Sequence, residues 1–78
     1  MIKTIHHQSY QQRTATEAEE IHAKISELGS DWSQRQSVDG PDGTEIVTFT
    51  WPTLEAAQGW CEYLKLDKLV ISTEIITE

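Results

Sequence analysis

Apolar and polar residues alternate along residues 44–51. Val47, Phe49 and Trp51 share one side, and Thr44, Ile46, Thr48 and Thr50 share the other. A period of two marks a strand with one buried side. Pro52 stops the strand, and Thr53 can cap a helix whose apolar positions Ala57, Trp60, Cys61 and Leu64 recur at helical spacing. Gly59 in mid-helix costs about 1 kcal/mol relative to Ala, so close approach of another backbone or ring is expected there. Residues 31–38 also alternate, with Trp32, Gln34, Gln36 and Val38 opposite Ser33, Arg35 and Ser37. Asp39, Gly40, Pro41, Asp42 and Gly43 join the two runs with the chemistry of a tight turn. Residues 31–66 thus read as strand, turn, strand, corner and helix, to which the remainder adds one helix and two outer strands.

The first of these strands covers residues 2–10. Its two sides, Ile2, Thr4, His6, Gln8 and Tyr10 against Lys3, Ile5, His7 and Ser9, are both mixed, which hints at packing on both. Residues 11–14 read as a loop. Thr14 or Thr16 caps the next helix, each with a Glu three residues on, Glu17 or Glu19, at capping-box spacing. Ala18, Ile21, Ile25 and Leu28 form its buried stripe, and Gly29 ends it in a left-handed conformation. The last strand, residues 69–78, presents either Leu69, Ile71, Thr73 and Ile75 or Val70, Ser72, Glu74 and Ile76 inward, depending on register.

The order strand, helix, strand, strand, helix, strand predicts one α+β domain spanning residues 1–78. The expected architecture is a ferredoxin-like βαββαβ sandwich, a four-stranded antiparallel sheet with two helices on one face. Ile46, the threonine row and an apolar side of the last strand would then lie on the uncovered face. An apolar patch of that kind marks an interface, and two copies packed sheet to sheet, or a partner, would cover it.

Charge narrows the partners. Six Lys and Arg against thirteen Asp and Glu give the 78-residue chain a net charge of −7. That balance repels nucleic-acid phosphates and anionic membranes, so neither direct nucleic-acid binding nor membrane binding is expected. The lone Cys61 permits no internal disulfide, the start lacks the apolar run of a signal peptide, and no stretch is long and apolar enough to span a bilayer. The expected location is cytoplasmic, the host cytoplasm if the gene is viral.

Candidate chemistry is sparse. His6 and His7 are neighbours on a strand and point to opposite faces, and His22 alone cannot complete a metal site with either. Asp39, Asp42 and Glu45 flank a glycine turn without the alternating ligands of a calcium loop. Cys61 belongs to a buried stripe and reads as a small core residue. No catalytic residue, metal or cofactor is therefore expected. Trp51 and Trp60 read as core, whereas Trp32 reads as an interface anchor, with Tyr10, Ile46 and Thr48 as further interface candidates. Glu17, Glu19, Glu20, Asp39, Asp42 and Glu45 form an acidic surface that suits a basic groove on a protein.

The run Thr48, Phe49, Thr50, Trp51, Pro52, Thr53, Leu54, Glu55, Ala56, Ala57, Gln58, Gly59, Trp60 resembles the strand-to-helix corner of dimeric α+β barrel proteins, including the antibiotic-biosynthesis monooxygenase-like group. The resemblance implies the fold and a dimer; no active-site motif of the group matches residue by residue. In size and acidity the chain also resembles small accessory proteins encoded by bacteriophages. The leading expectation is a non-enzymatic, homodimeric protein-interaction module, of a phage-type accessory or inhibitory kind that binds a host protein. The alternative is a small-molecule-binding or cofactor-independent monooxygenase-like protein, which requires a pocket between helices and sheet lined by groups such as His6, His7 or Tyr10.

Overall fold

Strand β1 (Ile2–Ser9) is central, paired antiparallel with β3 (Thr44–Trp51) on one side and β4 (Val70–Thr77) on the other. The short β2 (Gln36–Asp39) lies antiparallel along the free edge of β3, so the sheet order is β2-β3-β1-β4. Helices α1 (Ala15–Glu27) and α2 (Leu54–Leu64) complete an α+β domain. These features come from a computed structural model that describes residues 2–10 and 13–77. Among the described residues no helix is long and apolar enough to cross a membrane.

The helix ends follow their side chains. Of the two candidate caps, Thr14 is the one used: its hydroxyl accepts from the Glu17 amide at 3.2 Å, and the Glu17 carboxylate accepts from the Thr14 amide at 2.9 Å. Gly29, at φ 91°, closes α1 with its amide donating to Ser26 and the Ser30 amide to Ile25. Thr53 caps α2 by accepting from the Ala56 amide. Gly59 faces neither a backbone nor a ring. A β-carbon there would lie 3.2 Å from Cδ2 of Leu28, so the glycine lets α1 settle against α2 through that side chain.

The core is one layer between sheet and helices, built from Ile25 of α1, Val47, Phe49 and Trp51 of β3, and Ala57, Trp60 and Leu64 of α2. Cys61 is buried beside it, and burial pushes its thiol pKa up.

Three further expectations, all about strands, need correction. First, β1 is not an outer strand, and only one of its sides is covered. Thr4, His6 and Gln8 are buried under the helices, and their polar groups are largely met, as where Trp51 Nε1 donates to Thr4 Oγ1 at 2.8 Å. Second, residues 31–38 are not one strand. The Asp31 carboxylate accepts from the Ser33 amide and hydroxyl, capping a 3₁₀ turn at Trp32–Gln34, and pairing begins only at Gln36. Third, β4 presents neither alternating set intact. The register slips between His7, opposite Ser72, and Gln8, opposite Val70. This irregularity turns both Val70 and Ile75 toward the core and leaves Ile71 60% exposed. The loop expected at residues 11–14 lies partly outside the described residues. The hairpin turn is as expected, with Asp42 and Gly43 at φ 48° and 75°.

Candidate functional site

Helix α1 is pinned at its C-terminal half, where Ile25 is fully buried and Leu28 meets Gly59. Nearer its start the inward residue is the small Ala18, and the strand facing it carries His6 and Gln8 in place of aliphatic side chains. The space left is a cavity of about 470 Å³, with Ala18, Ile21 and His22 on one side and the inner face of β1 and β3 on the other.

The cavity is graded. One part is aromatic: Phe49 and Trp60 lie 5.5 Å apart in a T-shaped contact, and Trp32 meets the edge of Phe49 at 6.2 Å. Trp32 also stacks on His22, with centroids 4.1 Å apart, and carries the Arg35 guanidinium 5.2 Å from its ring centre. The other part is polar. Gln8 donates to Glu45 at 2.6 Å and accepts from Arg13 at 3.1 Å. Arg35 pairs with Glu45 at 2.9 Å, and Arg13 with Asp67 at 2.5 Å.

This network sets the state of His6. Arginine can only donate and an ionised carboxylate can only accept, so the Gln8 atom at Arg13 is its oxygen and the one at Glu45 its nitrogen. His6 Nε2, 3.0 Å from that oxygen, therefore carries the ring proton, and Nδ1 is a bare acceptor. Burial, aided by the charges of Arg35 and Arg13 and opposed by the Gln8 hydrogen bond, lowers the His6 pKa to about 4. The ring is neutral at neutral pH. Among the described residues, His6 Nδ1 and Trp60 Nε1 are both buried without a partner, an exception among buried polar groups.

The interface candidates from the sequence divide between two faces. Trp32, 45% exposed, and Tyr10, 61% exposed, line the cavity. Ile46 and Thr48 lie half-buried on the opposite side of the sheet, paired across β1 with His7 and Ile5. The four do not form one surface, because Trp32 sits on a turn that folds over the inner face. His7 is also on the outer side, bonded to Thr44 Oγ1 at 2.7 Å. Of the acidic residues, Glu19, Glu20, Asp39 and Asp42 are exposed and Glu17 is held in its capping box. Glu45 belongs to the cavity, its side chain only 12% exposed. Trp51 and Trp60 are core residues, at 3% and 1% exposure.

Gln8, Arg13 and Arg35 went unread as site residues. The available signal was the polar series Thr4, His6, Gln8 at a period of two, on a strand read as packed on both sides. No protein-family model, curated protein or solved structure matches this chain, so its geometry carries the functional reading.

Proposed function

We propose that this protein is a small-molecule-binding domain on a ferredoxin-like βαββαβ scaffold. The strand order β2-β3-β1-β4, with one helix following β1 and the other following β3, supports the scaffold. The observation that carries the function is the cavity between α1 and the sheet. Its volume of about 470 Å³ falls within the range of roughly 300–1,000 Å³ typical of ligand sites, and aromatic walls with a few fixed polar groups are their usual lining. Binding is favoured over proton abstraction, since a histidine with a pKa of about 4 is a weak base at neutral pH. The test is a titration of the ¹⁵N-labelled protein with flat two-ring aromatic compounds, followed by amide and indole NMR shifts. Shifts are expected at Trp32, Phe49 and Trp60. Shifts confined to the opposite sheet face, or none at all, overturn the reading.

A second reading, self-association through the open sheet face, has its own support. Val38 and Ile46 are paired there beside Ile5, and Ile76 lies opposite Lys3. Lys3 and Glu74 are the ionised groups among these paired positions, so two copies of an acidic chain can meet there without strong repulsion. Light scattering over a concentration series tests it. A dimer that Ile46→Lys dissociates supports the reading, and a monomer at the highest attainable concentration overturns it.

A further inference from the structure

The sequence contains two arginines, Arg13 and Arg35, and both line the cavity. They reach it from different parts of the chain, Arg13 from the segment before α1 and Arg35 from the end of the 3₁₀ turn. Both attach to the same rung of the sheet, where Gln8 and Glu45 are opposite one another in β1 and β3. Each guanidinium is paired with one carboxylate, Arg13 with Asp67 at 2.5 Å and Arg35 with Glu45 at 2.9 Å, so what the polar end offers is hydrogen-bond donors and not an excess of charge.

The guanidinium groups are held but not saturated. Each carries five N–H donors in a rigid fork. Among the described residues, Arg13 uses one nitrogen on Asp67 and another on Gln8, and Arg35 uses one on Ser37 and another on Glu45. The remaining N–H groups are donors fixed in place by those bonds, so a ligand meeting them finds them already oriented. Glu45 accepts from Gln8 and Arg35 through one oxygen, and its charge is already engaged by the Arg35 guanidinium at 2.9 Å. Donors therefore outnumber open acceptors at the polar end. At the other end, Trp32, Phe49 and Trp60 suit a flat ring system.

Resting on the small-molecule reading above, we infer that the ligand is a planar aromatic carboxylate. Its ring system lies among Trp32, Phe49 and Trp60, and its carboxylate is bound by Arg13 and Arg35. Arginine is the side chain best suited to this role, because its fork matches a carboxylate in two parallel hydrogen bonds.

The experiment compares four probes by calorimetric titration of the full chain: 2-naphthoate, its neutral amide 2-naphthamide, the cation 2-naphthylmethylammonium, and octanoate, an acid without a ring. 2-Naphthoate is expected to bind at least about tenfold more tightly than the amide, and the cation more weakly still. Added salt should narrow the gap between acid and amide. Arg13→Gln and Arg35→Gln should each weaken 2-naphthoate binding more than amide binding, removing most of the preference for the acid. Should either variant fail to fold, the four-probe comparison on the wild type decides alone. Equal binding of the three naphthalene probes overturns the carboxylate assignment and leaves the small-molecule reading standing. Octanoate matching 2-naphthoate overturns the aromatic part. Binding by none of the four overturns both readings.

Discussion

Glu45 accepts a hydrogen bond from the Gln8 side chain at 2.6 Å, and this contact decides which nitrogen of His6 carries a proton. With Gln8 nitrogen held by Glu45 and its oxygen held by Arg13, His6 must donate through Nε2. One carboxylate on β3 thereby fixes the tautomer of a ring on β1 without touching it.

That relationship predicts a pH dependence of stability. His6 has a pKa of about 4 when folded, against 6.5 in its absence of structure, so between those values the unfolded chain binds more protons. Stability from this group is fully present above about pH 6.5, falls as pH drops, and is lost near pH 4. The full effect is on the order of 3 kcal/mol, an upper bound that carboxylate titrations overlap. Urea unfolding of the wild type and of His6→Asn, each from pH 7 to 4, isolates it: the wild type should lose more stability than the variant. Long-range ¹⁵N–¹H spectra should show a neutral ring protonated at Nε2 at pH 7, and a ring protonated at Nδ1 would refute the network assignment.

A buried partner bond in the core gives a second prediction. Trp51 Nε1 donates to Thr4 Oγ1, and Thr4 is fully buried. Thr4→Val keeps the shape and removes the acceptor, leaving the indole N–H without a partner. The loss should be about 1–3 kcal/mol in urea unfolding, with an unchanged m-value. A change under a few tenths of a kcal/mol would mean that the bond contributes little.

The meeting of the two helices yields a double-mutant cycle. Gly59→Ala gains helix propensity of about 1 kcal/mol. It also brings a methyl group to 3.2 Å from Cδ2 of Leu28, which must give by a few tenths of an ångström. In the wild-type background the two effects should nearly cancel. In a Leu28→Ala background the same substitution should stabilise by about 1 kcal/mol. Equal effects in both backgrounds would show that Leu28 does not restrict the site.

How much of this was legible depended on whether one side chain or several decided a feature. The β3 alternation, the α2 stripe, the Gly29 cap and the hairpin turn each follow from local chemistry, and all are in the structure. The run around Trp32 misled because alternation is also produced by a polar turn followed by a short strand. The choice was made by Asp31 bonding to Ser33, two residues away. In β4, the register irregularity opposite His7 and Gln8 is a tertiary adjustment that no periodicity within β4 could reveal. The cavity was hidden for a related reason. Neither side of β1 is cleanly apolar, so composition does not say which one is covered, and the central place of the strand in the sheet makes Thr4, His6 and Gln8 an interior polar row.

Trp32 offers the last prediction, because its two readings differ in outcome. As an interface anchor it would face a partner; in the structure it stacks on His22, touches Phe49 edge-on and supports Arg35. With 45% of its surface exposed, it contributes less to the core than Trp51 or Trp60. Trp32→Ala should therefore leave a folded domain, destabilised by about 1–2 kcal/mol through lost aromatic and cation–π contacts. The same change opens one wall of the cavity and frees the Arg35 side chain, so affinity for a flat aromatic probe should fall at least about tenfold. Trp32→Phe keeps a ring for stacking and should recover much of that loss. Self-association, if it runs through Ile46 on the opposite side of the sheet, should be unaffected by either substitution. A Trp32→Ala protein that binds the probe normally but changes its oligomeric state would return Trp32 to the role of interface anchor.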